Sequence, residues 1–392
     1  MISVSQALDH LFALVRPLGC ESVPLLNAVG RVLAEDAISR SNQPPFPASA
    51  MDGYAVIRAE ALPGARFDVI GEAAAGHRFD GQVNPGQAVR IFTGAPVPTG
   101  ADRVVIQEDV TRDGNHIQLK NTLGSGDNIR PAAGDFRLGD RLTARRRLSP
   151  QDVALLASMN VAQVCVAKKP DIALISTGDE LVMPGEVPGP DQIIASNTFG
   201  LFALLGELGA APRLLPIARD TPQSLGQILD LAADADLIVT IGGASVGDHD
   251  IVSRVASDRG LDRAFYKVAM RPGKPLMAGT IGNAMMLGLP GNPVSAMVCG
   301  HIFLAPVVRA MMGLPAAAVT RYSARLSVDL PLGGPREHYM RATLVDNEIA
   351  PFDNQDSSLL RMLSQANALL IRPPNDAPRR IGDVVEYIPL GS

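Results

Sequence analysis

The 392-residue sequence predicts a multidomain α/β protein whose centre is a mainly parallel sheet covered by helices on both faces. Three observations carry this. Between 171 and about 313, short apolar runs ending in loops alternate with helical patterns, the texture of repeated strand–helix units. From about 40 to 140, strand-like runs alternate with Gly/Pro loops, which predicts a mainly β domain. Beyond Thr320 the chain returns to short strands, which predicts a small C-terminal β-barrel.

Taken in order, Ser3 and Gln6 have the spacing of a capping box, and Leu8, Leu11, Phe12 and Val15 share one face of the helix it opens. That helix is expected to end near Pro17-Leu18-Gly19. In the β region, 67–70, 88–92 and 103–106 read as strands. Ser149-Pro150 is an N-cap and N1 pair for a helix to about Asn160, followed by a strand over 161–166. In the α/β region, strands are expected at 172–175, 213–217, 237–241 and 284–287. Ser196 or Asn197 caps a helix through Leu208, Thr221-Pro222 starts another, and Pro293 opens a long apolar one. The barrel strands are expected at 324–328, 339–345, 368–371 and 384–388.

Composition narrows the function classes. A hydrophobic content of 46% with 19% charged residues describes a soluble globular protein, and a net charge of −5 argues against nucleic-acid or anionic-membrane surfaces. The Arg145-Arg146-Arg147 run reads as a solvated face. Cys20, Cys165 and Cys299 are far apart with no C-x-x-C, which fits a reducing, cytoplasmic setting without disulfides or structural zinc. The first residues lack a charged n-region and apolar core, so no signal peptide is expected. The apolar stretch 294–312 contains His301, Pro306 and Arg309, and reads as a buried helix rather than a membrane span. No H-x-x-H, H-E-x-x-H or P-loop pattern occurs, and no plausible Ser-His-Asp set is present, which argues against the usual zinc and serine hydrolase sites. His249 reads as a surface loop residue.

Six loops have unusual composition. Residues 44–56 run PPFPASAMDGYAV, in which Asp52-Gly53 reads as a tight hairpin turn or as a functional acid. Residues 93–102, TGAPVPTGAD, offer the Thr93 hydroxyl and several amides. Residues 176–181, STGDEL, follow a strand and place two carboxylates together; a helix N-cap accounts for one, and the other suits a hard cation. Residues 242–250, GGASVGDHD, follow a buried strand with glycine amides suited to an anion. Residues 270–275, MRPGKP, set two cations beside a glycine turn, as phosphate or another oxyanion requires. Residues 288–296, GLPGNPVSA, end a strand and begin a helix whose first amides can receive an anion. The last four are expected along one edge of the α/β sheet, where open sheets bind ligands. Amides and cations attract anions while the acids repel them, so the combination predicts a phosphorylated ligand held with Mg²⁺.

With SNT at 196–198, these loops in this order and spacing resemble the molybdopterin molybdenumtransferases, the MoeA and gephyrin E-domain family, over essentially the whole chain. The resemblance implies a homodimer of four-domain subunits. Residues 20–39 with 140–167 would form a connecting, dimerising domain, 40–139 the β domain, 1–19 with 168–317 a three-layer α/β domain, and 318–392 the barrel. It also implies the reaction: adenylylated molybdopterin and molybdate enter, Mg²⁺ assists, AMP leaves, and molybdenum is placed on the dithiolene. The site would lie between subunits, and other molybdenum cofactor biosynthesis proteins are possible partners.

Carried over residue by residue, the resemblance assigns catalytic acids Asp52, Asp135, Glu180, Asp220 and Asp250, of which Glu180, Asp220 and Asp250 would hold the metal. Substrate would be met by Thr93, Ser176, Thr177, Gly178, Asn197, Gly242, Gly243, Ser245 and Gly247, by the cations Lys267, Arg271 and Lys274, and by Pro290 and Pro293. In the barrel, Arg341 and Ser357 are the assigned contacts. Arg271 stands where many relatives have Lys, so its charge is kept while its geometry differs. Two other readings remain: a scaffold protein, and a paralogue that binds nucleotide or pterin without catalysis.

Overall fold

Ser3 opens the first helix, Val4–Leu14, by reciprocal capping: its Oγ accepts from the Gln6 amide at 3.1 Å, and Gln6 Oε1 accepts from the Ser3 amide at 2.9 Å. Val4, Ala7, Leu8 and Leu11 are its buried face. In the computed structural model, which describes residues 1–243 and 251–391, this helix belongs to a unit of residues 1–21 and 167–392; residues 22–166 form a second unit.

The larger unit is built on a six-stranded sheet in the order Ala211–Leu214, Asp171–Ser176, Leu237–Ile241, Ala284–Leu289, Pro275–Ile281, Asp262–Lys267. The first four strands are mutually parallel and the last two antiparallel. Every residue of Leu237–Ile241 and Ala284–Leu289 is buried, as a sheet covered on both faces requires. On one face, Leu225 and Leu229 of the Pro222–Leu231 helix join Val252 and Val255 of the Ile251–Asp258 helix in a single apolar cluster.

Two departures from the sequence reading have local causes. The strand expected at 213–217 runs Ala211–Leu214, because Pro216 has no N–H to continue the ladder. The antiparallel edge was not anticipated, although Gly282-Asn283 between apolar runs is a hairpin turn, with Ile281 paired to Ala284 across it.

The long apolar segment is helical over Pro293–Cys299 and Ala305–Met311, joined by a π-helical turn at Gly300–Leu304. The Pro306 nitrogen cannot donate, so the regular ladder is broken there and the wider turn takes up the mismatch. This is the one described helix long and apolar enough to cross a membrane, and 83% of its apolar window is buried inside the protein.

Five strands close the C-terminal barrel: Glu337–Val345, Glu348–Pro351, Tyr322–Leu326, Val384–Pro389 and Ala368–Arg372, with the last pairing back to the first. The short Met270–Arg271 strand pairs in parallel with Glu337 and His338, tying the barrel to the α/β domain next to the RPGKP loop.

The smaller unit carries a six-stranded sheet in the order Arg103–Ile106, Gly53–Val56, Gln87–Ile91, Arg66–Ala73, His116–Leu119, Val110–Asp113, with apolar clusters on both of its faces. A further cluster gathers around the Pro150–Ser158 helix, which Ser149 and Asp152 cap reciprocally. The arginine run is exposed, as a solvated face requires, and two of its members are also paired there. Arg146 pairs with Asp152 at 2.8 Å, and Arg147 Nε donates to the Gly30 carbonyl at 3.0 Å.

Candidate functional site

The carboxyl ends of the parallel strands open onto a cavity of about 990 Å³ in the larger unit. Strand order sets out its walls. Glu180 follows the Asp171–Ser176 strand and Asp220 follows the neighbouring Ala211–Leu214 strand, so the acids lie toward one side of the sheet. Gly242, Gly243, Pro290 and Pro293 follow the two central strands. Arg271 and Lys274 lie just before the Pro275–Ile281 strand, toward the other side. Ser176, Thr177, Gly178, Asn197 and Ser357 also line the space.

The STGDEL loop is shaped by its glycine and by its neighbours. Gly178 has φ +148, and a Cβ there would lie 2.7 Å from Glu180 Cδ, so only glycine lets the carboxylate fold over the backbone. No helix starts at this loop. Residues 181–194 carry the paired strands Leu181–Val182 and Ile193–Ile194, and the helix begins at Asn197. Asp179 therefore caps no helix; its Oδ1 accepts from the Asp220 amide at 3.2 Å, while Arg219 Nη1 donates to the Asp179 carbonyl at 3.0 Å. These bonds hold the Glu180 and Asp220 loops together.

Gly243 has φ +63, and a Cβ there would sit 2.5 Å from Val252 Cγ2 and 2.8 Å from Thr177 Oγ1. Asn197, expected to cap its helix, instead donates from Nδ2 to the Gly291 carbonyl at 2.7 Å, and Ser196 makes no side-chain cap bond. The Pro293 helix also differs from expectation. Its Val294 amide donates to the Ser357 carbonyl at 3.0 Å, so one first-turn amide serves the protein itself. Asn292 Nδ2 donates to Ser357 Oγ, also at 3.0 Å.

Two expectations meet a different arrangement, and a third group lies beyond the described residues. Lys267 is not among the described lining residues; its Nζ lies 5.3 Å from the Tyr266 ring centroid. Arg341, expected at substrate, is 1% exposed and bonded within the barrel. Ser245, Gly247 and Asp250, like His249, lie outside the described residues. The sequence reading missed Arg336, which lines the cavity and donates from Nη1 to the Met270 carbonyl at 3.2 Å. It also missed Gln355, Asp356 and Ser358, which line the cavity beside Ser357.

The cationic side has a marked effect on its neighbours. Burial, and then the guanidiniums of Arg271, Arg372, Arg336 and Arg341, push the His338 imidazole down to about 4, so it is neutral at physiological pH. Positive charge concentrated in this way attracts an oxyanion.

In the smaller unit, Asp52 Oδ1 accepts from the Thr93 amide and the Thr93 hydroxyl, each at 2.8 Å. Those bonds, the amide first, hold its carboxyl below the usual range against a small opposing effect of burial, with Arg90 adding to the lowering. Arg90 is fixed over Tyr54 and Phe92, at 5.1 and 4.7 Å from the ring centroids. Asp52-Gly53 is not a hairpin turn, since Gly53 already begins a strand. Asp135 is exposed, and its amide donates to the Gln43 carbonyl at 2.9 Å. Thr93→Val is expected to raise the Asp52 pKa only part of the way to its ordinary value, because the amide bond remains. NMR titration of the carboxyl checks this, and an unchanged pKa would show that the hydroxyl contributes nothing.

Comparison with known proteins matches residues 2–160 to the MoeA N-terminal region (domain I and II), 173–310 to a probable molybdopterin binding domain, and 323–390 to the MoeA C-terminal region (domain IV). A molybdopterin molybdenumtransferase of Nostoc is 36% identical over 95% of this chain and 90% of its own. Its counterpart in Bacillus subtilis is 31% identical over 99% of this chain and 94% of its own. Among solved structures, the molybdopterin biosynthesis moeA protein of Pyrococcus horikoshii superposes with a TM-score of 0.86 at 26% identity, covering 100% of both chains.

Proposed function

This chain belongs to the molybdopterin molybdenumtransferase family, and from that premise we propose that it inserts molybdenum from molybdate into adenylylated molybdopterin, releasing AMP as the last step of molybdenum cofactor biosynthesis. The observation that carries the reading is the division of charge in the cavity, with Glu180 and Asp220 toward one side of the sheet and Arg271, Lys274 and Arg336 toward the other. A substrate with a phosphoric anhydride at one point and an incoming oxyanion at another needs both kinds of wall.

Mg²⁺ fits the acidic side. Glu180 and Asp220 offer oxygen donors on loops held together by the Asp179–Asp220 bond, and Gly178 leaves the space that the Glu180 carboxylate occupies. Asp250 would complete the set. The ion supplies charge neutralisation at phosphoryl oxygens when bound. The chain's own groups do the rest. Arg271, Lys274 and Arg336 bind and orient oxyanion charge that grows as the anhydride P–O bond breaks, and Ser357 with its neighbours closes the barrel side.

We further propose a cytoplasmic homodimer in which Asp52, Thr93 and Asp135 of one copy serve the cavity of the other, with molybdate and adenylylated molybdopterin as its partners. Support comes from the half-buried Asp52, whose carboxylate is held in place and below its usual pKa by the Thr93 amide and hydroxyl. The test is AMP release from adenylylated molybdopterin with molybdate and Mg²⁺. Release by the wild-type chain supports the reading, and none above background overturns it in favour of a binding-only protein. The shared site is checked by mixing inactive Asp52→Ala and Glu180→Gln chains and re-equilibrating them. Recovery of activity is expected, because one of the two sites in each mixed dimer is intact. No recovery, or a monomer by light scattering, overturns the shared arrangement.

A further inference from the structure

Arg341 lies on the Glu337–Val345 strand of the barrel, 1% exposed, and is not among the described cavity-lining residues. Burying a guanidinium is costly, so its bonds show what it is for. All of the bonds described from its side chain go to one loop. Nε donates to Gln355 Oε1 at 3.4 Å, Nη1 to the Leu359 carbonyl at 3.2 Å, and Nη2 to the Asn354 carbonyl at 3.3 Å. The backbone joins in: Arg341 N donates to Gln355 Oε1 at 3.0 Å, and Gln355 Nε2 donates back to the Arg341 carbonyl at 3.0 Å. Gln355 Nε2 also donates to the Phe352 carbonyl at 2.8 Å.

This loop is the barrel wall of the cavity. Gln355, Asp356, Ser357 and Ser358 line the space, and Ser357 reaches Asn292 through its hydroxyl and Val294 through its carbonyl. We propose that Arg341 is a positioning residue: its three-way guanidinium clamp sets the 354–359 loop so that Ser357 is held against the Pro293 helix and the oxyanion end of the cavity keeps its shape. The inference rests on the proposed function for what the cavity binds, and adds a residue that acts without touching ligand.

Arginine is suited to this task. Its planar head donates in three fixed directions, whereas a lysine ammonium in the same place reaches fewer of the carbonyls and fixes none of their angles. The structural cost of a loosened barrel has to be separated from the loss of loop placement. Leu370, 0% exposed in the barrel core, supplies a control that is remote in role, because Leu370→Ala destabilises the barrel without removing any bond to the loop.

The experiment measures AMP and molybdate affinity by calorimetry, and thermal melting, for the full chain carrying Arg341→Met, Arg341→Lys or Leu370→Ala. At a temperature well below every melting transition, Arg341→Met is expected to weaken AMP binding by about tenfold or more, Arg341→Lys by an intermediate factor, and Leu370→Ala by less than about twofold. Amide hydrogen exchange across 352–359 is expected to quicken in both Arg341 variants and not in Leu370→Ala. If Arg341→Met does not fold, the lysine variant carries the comparison. The proposal is overturned if the Arg341 variants bind AMP as the wild type does, or if Leu370→Ala weakens binding as much as they do. A wild-type chain that binds no AMP would instead overturn the proposed function, which this comparison keeps separate.

Discussion

Glu180→Gln is expected to lower turnover by about 10²- to 10³-fold, while the affinity for molybdate changes by less than about threefold. The substitution keeps the shape of the side chain, so it still folds over Gly178, where the missing Cβ leaves its space. It removes only the charge. On the proposed reading that charge holds the divalent ion beside the phosphoryl oxygens, whereas molybdate is met by the cations on the opposite side of the sheet. The expected signature is a loss in kcat that higher Mg²⁺ partly restores. Stability is expected to move by less than about 0.5 kcal/mol, since Glu180 is exposed. Near wild-type turnover would remove Glu180 from the metal site and leave Asp220 without its partner. The matching variant Asp179→Asn tests a different point. Its carboxylate serves the Asp220 amide, so its loss is expected to act through loop placement and to resist rescue by Mg²⁺.

Which parts of the site were legible follows from how far each signal reaches along the chain. Ser3 with Gln6 and Ser149 with Pro150 are complete within four residues, and the structure forms the capping box and the N-cap that they imply, Asp152 adding the reciprocal bond in the second. The glycine loops after buried strands were legible for the same reason, and the sheet brings them to one cavity. The Asn197 side chain was misread, and the Asn292 contact went unseen, because their partners, Gly291 and Ser357, are distant in sequence. The barrel shows the limit most clearly. Arg336 and Arg341 are five positions apart, one before the strand and one inside it. Alternation along the strand puts Arg341 on the same face as Tyr339, the buried one, and a charged residue on a buried face contradicts the usual pattern. Nothing local in the sequence says that the loop around Gln355 will turn its carbonyls toward that charge. The cation that reaches the cavity is Arg336, in the turn, where no periodicity singles it out.

Gly53→Ala is expected to destabilise the smaller unit by roughly 3 kcal/mol or more, at or beyond the upper end for an added methyl in a packed interior. A Cβ at Gly53 would lie 2.9 Å from the Val105 carbonyl carbon and 3.1 Å from Ile106 Cα, and closer still to the Val105 carbonyl oxygen. All three are backbone atoms. They belong to the Arg103–Ile106 strand, which pairs with Gly53–Val56 on one side while Gln87–Ile91 pairs on the other. A flexible side chain can swing away from a new methyl, but here the neighbour is backbone, and Gly53–Val56, laddered on both sides, cannot back away from the edge strand it pairs with. The requirement for glycine is thus one of close approach rather than of turn geometry, which separates the two halves of the Asp-Gly pair. Asp52, half-buried and bonded through its side chain to Thr93, is free to serve chemistry; Gly53 serves the sheet. Urea unfolding distinguishes them. Asp52→Ala should leave the transition of this unit within about 1 kcal/mol of wild type, and Gly53→Ala should shift it by several times that. Equal shifts for the two would mean that the Asp52–Thr93 contact supports the fold, and would weaken the case for Asp52 as a residue held ready for substrate.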